Sequence, residues 1–315
     1  MATTFHKIIR VIKAPNTGHR ILLAINKSPL RHLLKFIALI LYRQAYLKRK
    51  LQFENHKITA IESIALNKLQ EFGYVEVAEL FSKESLETLL NYSNEKLAKA
   101  ENIRNNQKTS NKGFSKKDFW IRLSDEDIGD KMLSCSNPMV KIALEPQILS
   151  IAGAYLQQTA FLDYILLTLS SFGGDTLKSS QLWHFDRDDT RMLKLFVYLT
   201  DVKSESDGPF TFIDKIQSNL IKNSFIMRHL EDSEVNRYVK KSDYIQMIRP
   251  KLSCFLVDTS VCYHMGSRLP PDHSRVMLTA LFLAPPSNYF SKRKEFVSLD
   301  TNETLTNLQV AAIRN

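Results

Sequence analysis

The sequence predicts a mainly β chain with helical additions, built on a jelly-roll core. From about Asp163 the apolar period changes from that of helices to that of strands. Eight short segments follow: "DYILLTLSSF", "SQLWHFD", "MLKLFVYLTDV", "GPFTFID", "DYIQMIR", "SCFLVDT", "CYHMG" and "SRVMLTALFLAP". They are rich in β-branched and aromatic residues, and Gly, Pro, Asp and Ser lie between them. Eight short strands in succession, without an internal repeat or low-complexity tract, suggest a jelly roll.

The elements before that core read as helices. Residues 1–53 fall into two helical pieces separated by "APNTG" and "NKSP", and in the second Leu30, Leu33, Leu34, Ile37 and Leu41 recur at helical spacing. Of the 43 Lys and Arg, eleven lie between Lys7 and Lys50, where there is no Asp or Glu; the remaining 32 nearly balance the 33 acidic residues. The high pI therefore belongs to the N-terminal arm. It reads as a helix packed on the body or as one lying on an anionic membrane. No aromatic-basic motif for reading nucleic acid accompanies the charge, so nucleic acid is not expected as a partner. "LLKFIALILY", Leu33 to Tyr42, is half the roughly 20 residues that cross a bilayer. The start lacks a compact apolar segment with a cleavage site, which argues against secretion, although an acid-free basic start also resembles a mitochondrial transit peptide. Three cysteines without a CxxC pair point to a reducing compartment, and Cys254 and Cys262 read as core residues. The expected location is cytoplasmic, with peripheral membrane contact through residues 1–53.

"ITAIESIALNKLQEFG" reads as a helix ending at Gly73, "YVEVAELF" as a strand, and "SKESLETLLNYSNEKLAKA" as a capped helix. Residues 101–130 are polar and read as a loop. The expected organisation is a basic helical arm over 1–56 and a catalytic domain over 57–315. That domain comprises helical support over 57–160, the jelly-roll core over 161–286 and a C-terminal extension over 287–315. One interruption, "KIQSNLIKNSFIMRHLEDSEVNRYVKK", looks helical.

The chemistry-bearing stretch is "SQLWHFDRDD". On a strand, residues i and i+2 share a face, so His184 and Asp186 stand about 7 Å apart along the chain and can converge on one ion. A rival, His229-Leu-Glu231, lies in the helical-looking interruption, where i and i+2 point roughly 200° apart. The third ligand must come from a later strand, and His264, in "FLVDTSVCYHMGSR", opens one. Two His and one carboxylate on one face of iron leave positions open for a cosubstrate and dioxygen. Eleven residues on, Arg275 opens a very apolar strand. A guanidinium there is costly to bury unless it meets an anion, which it can bind bidentately. The bland alternatives are a hydrogen-bonded core histidine for His264 and a structural ion pair for Arg275, with Asp258 as its partner.

"QLWHFDRDDTRMLKLFVYLTDV…DGPFTFID" followed by "FLVDTSVCYHMGSR…SRVMLTALFLAP" resembles the phytanoyl-CoA dioxygenase family of Fe(II)/2-oxoglutarate oxygenases. "LNKLQEFGYVEVAELFSKESLETLL" is also similar to that family's N-terminal segment. The resemblance spans roughly residues 60–95 and 160–286, and rests most on the ordered set H-x-D, GPF, DT-x(4)-H and H-x(10)-R. It implies a double-stranded β-helix of the cupin-like kind. In it His184, Asp186 and His264 hold Fe(II), and Arg275 binds the tail of 2-oxoglutarate, with dioxygen as the second cosubstrate. Lys194 and Tyr198, on the following strand, would face the cosubstrate. The chain departs from the family at "DKIQSN", at "PKLSC" and at Gly266, none of them a ligand position. Asp186 disfavours a halogenase, in which a small residue replaces the carboxylate.

The expected reaction is oxidation of a C–H bond of a small molecule, releasing succinate and CO2. Asp189, Arg187 and the basic insert (Lys222, Arg228, Arg237, Lys240, Lys241) are candidates to line the mouth, which would suit an anionic or carrier-bound substrate. A non-catalytic member using its basic arm on membranes or a partner, and a metal jelly roll that does not use 2-oxoglutarate, are the competing readings.

Overall fold

The computed structural model describes residues 25–107 (backbone alone for 101–107), 120–123, 132–177, 179–286, 295–299 and 304–314. Two helices, α1 (Arg31–Leu41) and α2 (Arg43–Glu54), lead into α3 (Ala60–Phe72). A capping box sets the start of α3: the Thr59 side chain accepts from the Glu62 N–H, and Glu62 accepts from the Thr59 N–H. Gly73 ends it in the left-handed region at φ 80°, and a Cβ there would come within 2.5 Å of Cys262 Sγ.

Then come β1 (Tyr74–Glu76), α4 (Lys83–Gln107), β2 (Trp120–Arg122), β3 (Leu133–Ser134), α5 (Pro138–Ala143) and α6 (Pro146–Leu156). The core follows with β4 (Phe161–Ser171), β5 (Met192–Tyr198), β6 (Thr211–Phe212), α7 (Lys215–Ser218), α8 (Asp232–Val235), β7 (Ile245–Gln246), β8 (Cys254–Val257), β9 (His264–Met265) and β10 (Ser274–Leu283). Two elements close the chain, β11 (Val297–Ser298) and α9 (Asn307–Ile313).

The eight expected core segments interleave between two sheets. The large one has the order β1-β8-β5-β10-β4-β2, the small one β7-β6-β9. The segment before β5 joins the small sheet by a single bridge, His184 to His264. First, third, sixth and eighth segments on one sheet, second, fourth, fifth and seventh on the other, is the winding of a double-stranded β-helix.

β5 is buried along its whole length and reads as a continuous apolar run. Leu193, Leu195 and Val197 pack outward into the cluster shared with α3 to α6, while Phe196 and Tyr198 join the aromatic layer between the sheets with Phe210, Phe212 and Phe255. Each large side chain so buried stabilises the fold by about 1.5–3 kcal/mol. Strand alternation also turns Lys194, and on β10 Arg275, Met277 and Thr279, toward the interior cavity.

Several expectations change. "YVEVAELF" gives only the three residues of β1 and then a 3-10 turn at Ala78–Leu80. The polar segment after residue 100 holds the end of α4 and the edge strand β2; its other residues, 108–119 and 124–130, lie outside those described. The interruption after β6 is not a long helix. It contains the single turns α7 and α8, and Leu230 pairs with Trp183 across the small sheet. The arm, where described, is docked rather than detached: Arg49 is buried and donates to the carbonyls of Thr159, Ala160, Ala311 and Arg314. Residues 1–24, with four of the eleven arm cations, lie outside the described residues. All three cysteines are free and buried. Among the described residues no helix is long and apolar enough to cross a membrane.

Candidate metal centre

The centre begins with a pair of backbone hydrogen bonds. His184 N–H donates to His264 O at 2.9 Å, and His264 N–H donates to His184 O at 3.0 Å. A hydrogen-bonded antiparallel pair projects both side chains from the same face, and the two rings lie 4.3 Å apart. Asp186 is held by its own N–H donating to Thr259 O at 2.9 Å. Thr259 belongs to the "DT" turn, which Asp258 closes by accepting from the Ser260 N–H at 2.9 Å, the Ser260 hydroxyl at 2.6 Å and the Tyr155 hydroxyl at 2.7 Å. The two halves of the motif set are thus joined through main chain.

One ligand atom from each of His184, Asp186 and His264 lies within 4.8 Å of the others. The imidazole tautomers follow from their partners. His184 Nδ1 faces Leu182 O at 2.8 Å, and His264 Nδ1 faces Cys262 O at 3.1 Å. A carbonyl only accepts, so each Nδ1 carries a proton, which leaves Nε2 as the nitrogen each ring can offer to a metal. Both Nε2 atoms face Asp186, at 4.0 Å from His184 and 3.3 Å from His264. Burial, and then the neighbouring His264, lower His184 to about 3, which keeps it neutral and able to ligate. Burial alone would raise Asp186, but the Lys194 ammonium, 2.6 Å away, holds it well below the carboxylate range. A neutral His184, a second imidazole and an ionised carboxylate form a donor set suited to a divalent transition metal.

Lys194 does not stand free for a cosubstrate. Its ammonium donates to Asp186 Oδ2 at 2.6 Å and lies 5.8 Å from the Tyr164 ring centre. Burial would lower it, but Asp186, then Tyr164 and Asp188, raise it, so it stays charged. Tyr164, absent from the sequence-based set, is pushed up to about 12 by burial. The period of two that sets it on the face of Leu166, Thr168 and Ser170 is the signal that could have found it.

Arg275 is 3% exposed and shares a cavity of about 610 Å³ with the three ligands. Its Nη1 donates to Gly208 O, its guanidinium lies 5.6 Å over the Tyr198 ring, and its Nε has no partner. No carboxylate pairs with it among the described residues, and Asp258, the alternative partner, is engaged elsewhere. The GPF motif supplies this setting. Gly208, at φ 64°, would carry a Cβ 2.8 Å from Leu269, and its carbonyl meets Arg275. The Phe210 N–H donates to the Tyr198 hydroxyl at 2.8 Å. Tyr198 is fully buried and does not line the cavity; it supports Arg275 from behind. At the third departure, the Gly266 N–H donates to Ser180 O at 2.7 Å, an oxygen that a Cβ would approach to 3.2 Å.

The mouth differs from expectation. Asp189 is fully buried and paired with Lys35 at 2.8 Å. Lys222, Arg228, Arg237, Lys240 and Lys241 are exposed, and neither they nor Arg187 line the cavity, so the insert gives no ground for an anionic substrate. Asp188 does line it, with Asp163, Arg122 and Glu295. His229 is not helical: it precedes a bridge residue, and its ring lies 4.8 Å from that of His184. Glu231 is nevertheless occupied in the cap of α8, and the pair does not converge.

No family model matches the chain, and no curated protein matches it. Solved structures similar to it include the epimerase SnoN in complex with Fe3+, alpha ketoglutarate and nogalamycin RO, at TM-score 0.45 and 16% identity, covering 71% of this chain and 84% of that one. AviO1 from Streptomyces viridochromogenes Tue57 gives TM-score 0.46 and 12% identity, over 73% of this chain and 98% of that one. EctD from S. alaskensis with 2-oxoglutarate and 5-hydroxyectoine gives TM-score 0.47 and 14% identity, over 71% and 76%.

Proposed function

We propose that the chain is an Fe(II)- and 2-oxoglutarate-dependent oxygenase acting on a C–H bond of a small molecule, as its resemblance to the phytanoyl-CoA dioxygenase family implies. The observation that carries this is the pairing, in one cavity, of a His-Asp-His donor set with a buried arginine that meets no carboxylate among the described residues. A buried guanidinium with an orphaned N–H suits a carboxylate-bearing ligand. The cavity volume lies within the range of small-molecule sites.

His184, Asp186 and His264 would hold the metal, and Arg275 would take the distal carboxylate of the cosubstrate. When bound, iron and 2-oxoglutarate supply the oxidising chemistry, in which dioxygen converts 2-oxoglutarate to succinate and CO2 and oxidises the substrate. The chain's own part is positional and electrostatic. Leu182 O and Cys262 O orient the imidazoles. Lys194 keeps Asp186 ionised and fixes Oδ2. The Tyr198 ring and Gly208 O set the guanidinium. The aromatic layer of Phe196 and Phe210 excludes water from one wall.

The test is succinate release that requires both Fe(II) and 2-oxoglutarate, together with the anaerobic absorption band of the Fe(II)–2-oxoglutarate complex. Wild-type protein should show both, and Asp186→Ala neither. Absence of iron binding by the wild-type chain would favour the non-catalytic reading.

A further inference from the structure

Surface helices ordinarily turn their apolar stripe to the core. α1 does the reverse. Arg31 and Ala38 are buried, and Lys35, with its side chain 14% exposed, donates to Asp189 at 2.8 Å, to Ala284 O at 2.6 Å and to Pro286 O at 2.7 Å. On the outer side Leu33 is 55% exposed, Phe36 60%, Ile37 38%, Ile40 59% and Leu41 66%. These five fall on one arc of about 140°, and Leu30, at 47%, continues it.

The orientation is not an accident of a loose helix. Asp189 is fully buried, and turning α1 over would withdraw its cation. Leaving such a charge uncompensated costs about 3–5 kcal/mol. The polar face is locked inward, so the apolar face stays outward.

We infer that α1 is a membrane-surface helix that seats the protein on anionic lipid. Charge selects this partner. No Asp or Glu occurs from Met1 to Phe53, and Arg43 and Lys48 are exposed on α2, the helix that follows directly. Each such cation contributes about 1 kcal/mol at an anionic bilayer. The same cations would face one another across a contact with a second copy, which disfavours self-association. The helix has 11 residues, too few to span, so it lies in the interface.

Sedimentation of the full chain with vesicles tests this, using phosphatidylcholine alone and phosphatidylcholine with phosphatidylserine. The wild type should sediment with the mixed vesicles and be released by salt. Leu33→Ser/Phe36→Ser/Ile40→Ser should lower binding at least about tenfold. Its melting temperature and Fe(II) affinity should stay unchanged, because none of the three side chains touches the core or the metal centre. Failure of the wild type to sediment, or equal sedimentation by the variant, overturns the inference. So does a dimer in light scattering that the variant converts to monomer while neither form binds vesicles, which would make the partner a second copy.

Discussion

Two side chains decide what the cavity can hold. Arg275 is buried, no carboxylate pairs with it among the described residues, and its Nε has no partner among them. Arg275→Leu should therefore raise the KM for 2-oxoglutarate about tenfold to a hundredfold, from the loss of a charge-assisted pair. Unaltered turnover would instead favour a metal jelly roll that uses no such cosubstrate. Lys194 acts through Asp186, which it meets at 2.6 Å. Lys194→Met should weaken Fe(II) binding about tenfold to a hundredfold, read by anaerobic titration, while Lys194→Arg should recover part of it. Equal affinity in all three proteins would remove Lys194 from the positioning of the ligand. The sequence pointed to both residues but not to the pair of Lys194 with Asp186, because strand alternation gives the direction of a side chain and not its partner.

The short strand carrying His184 has few ladder bonds of its own, and its neighbour Trp183 is fixed from α8. Trp183 Nε1 donates to Asp232 Oδ1 at 2.8 Å, and Arg268 pairs with both oxygens of the same carboxylate at 2.7 and 2.8 Å. Arg268 also donates to Gln181 O at 3.0 Å. Asp232→Ala should cost about 1–2 kcal/mol by leaving the buried indole N–H and the guanidinium without their acceptor. The Arg268 hydrogen bond, opposed by partial burial, holds Asp232 below the carboxylate range. A depressed carboxylate contributes stability above its unfolded pKa, about 4, and loses it as pH falls through the folded value. The difference in melting temperature between wild type and Asp232→Asn should be full near neutrality and shrink in acid. A constant difference would mean that the ionised form is not what stabilises the strand. This network was invisible in the sequence because the insert between β6 and β7 looked helical. Its apolar residues recur at helical spacing, yet pairing of Leu230 with Trp183 outweighs that local preference.

At the scale of the whole molecule, the arm, the ligand-bearing loop and the end of β10 are tied together by one ammonium. Lys35 and Asp189 lie 154 residues apart in the chain. Lys35→Met should destabilise the fold by about 3–5 kcal/mol, measured by denaturant unfolding, and adding Asp189→Asn should return much of that. If the double variant is no better than the single one, the pair is not what docks α1. Residue pattern alone carried the order of the eight core segments, the three candidate metal donors and the arginine that shares their cavity. Those follow from periods of two along a strand, from the scarcity of His after Asp186, and from a charge set in an apolar run. It takes the folded chain to show that Asp189 is a buried anchor, that Tyr198 stands behind Arg275, and that α1 faces its apolar side outward. Period and composition describe neighbours along the chain, whereas the partner of a buried charge is chosen by which distant segments the sheets bring together.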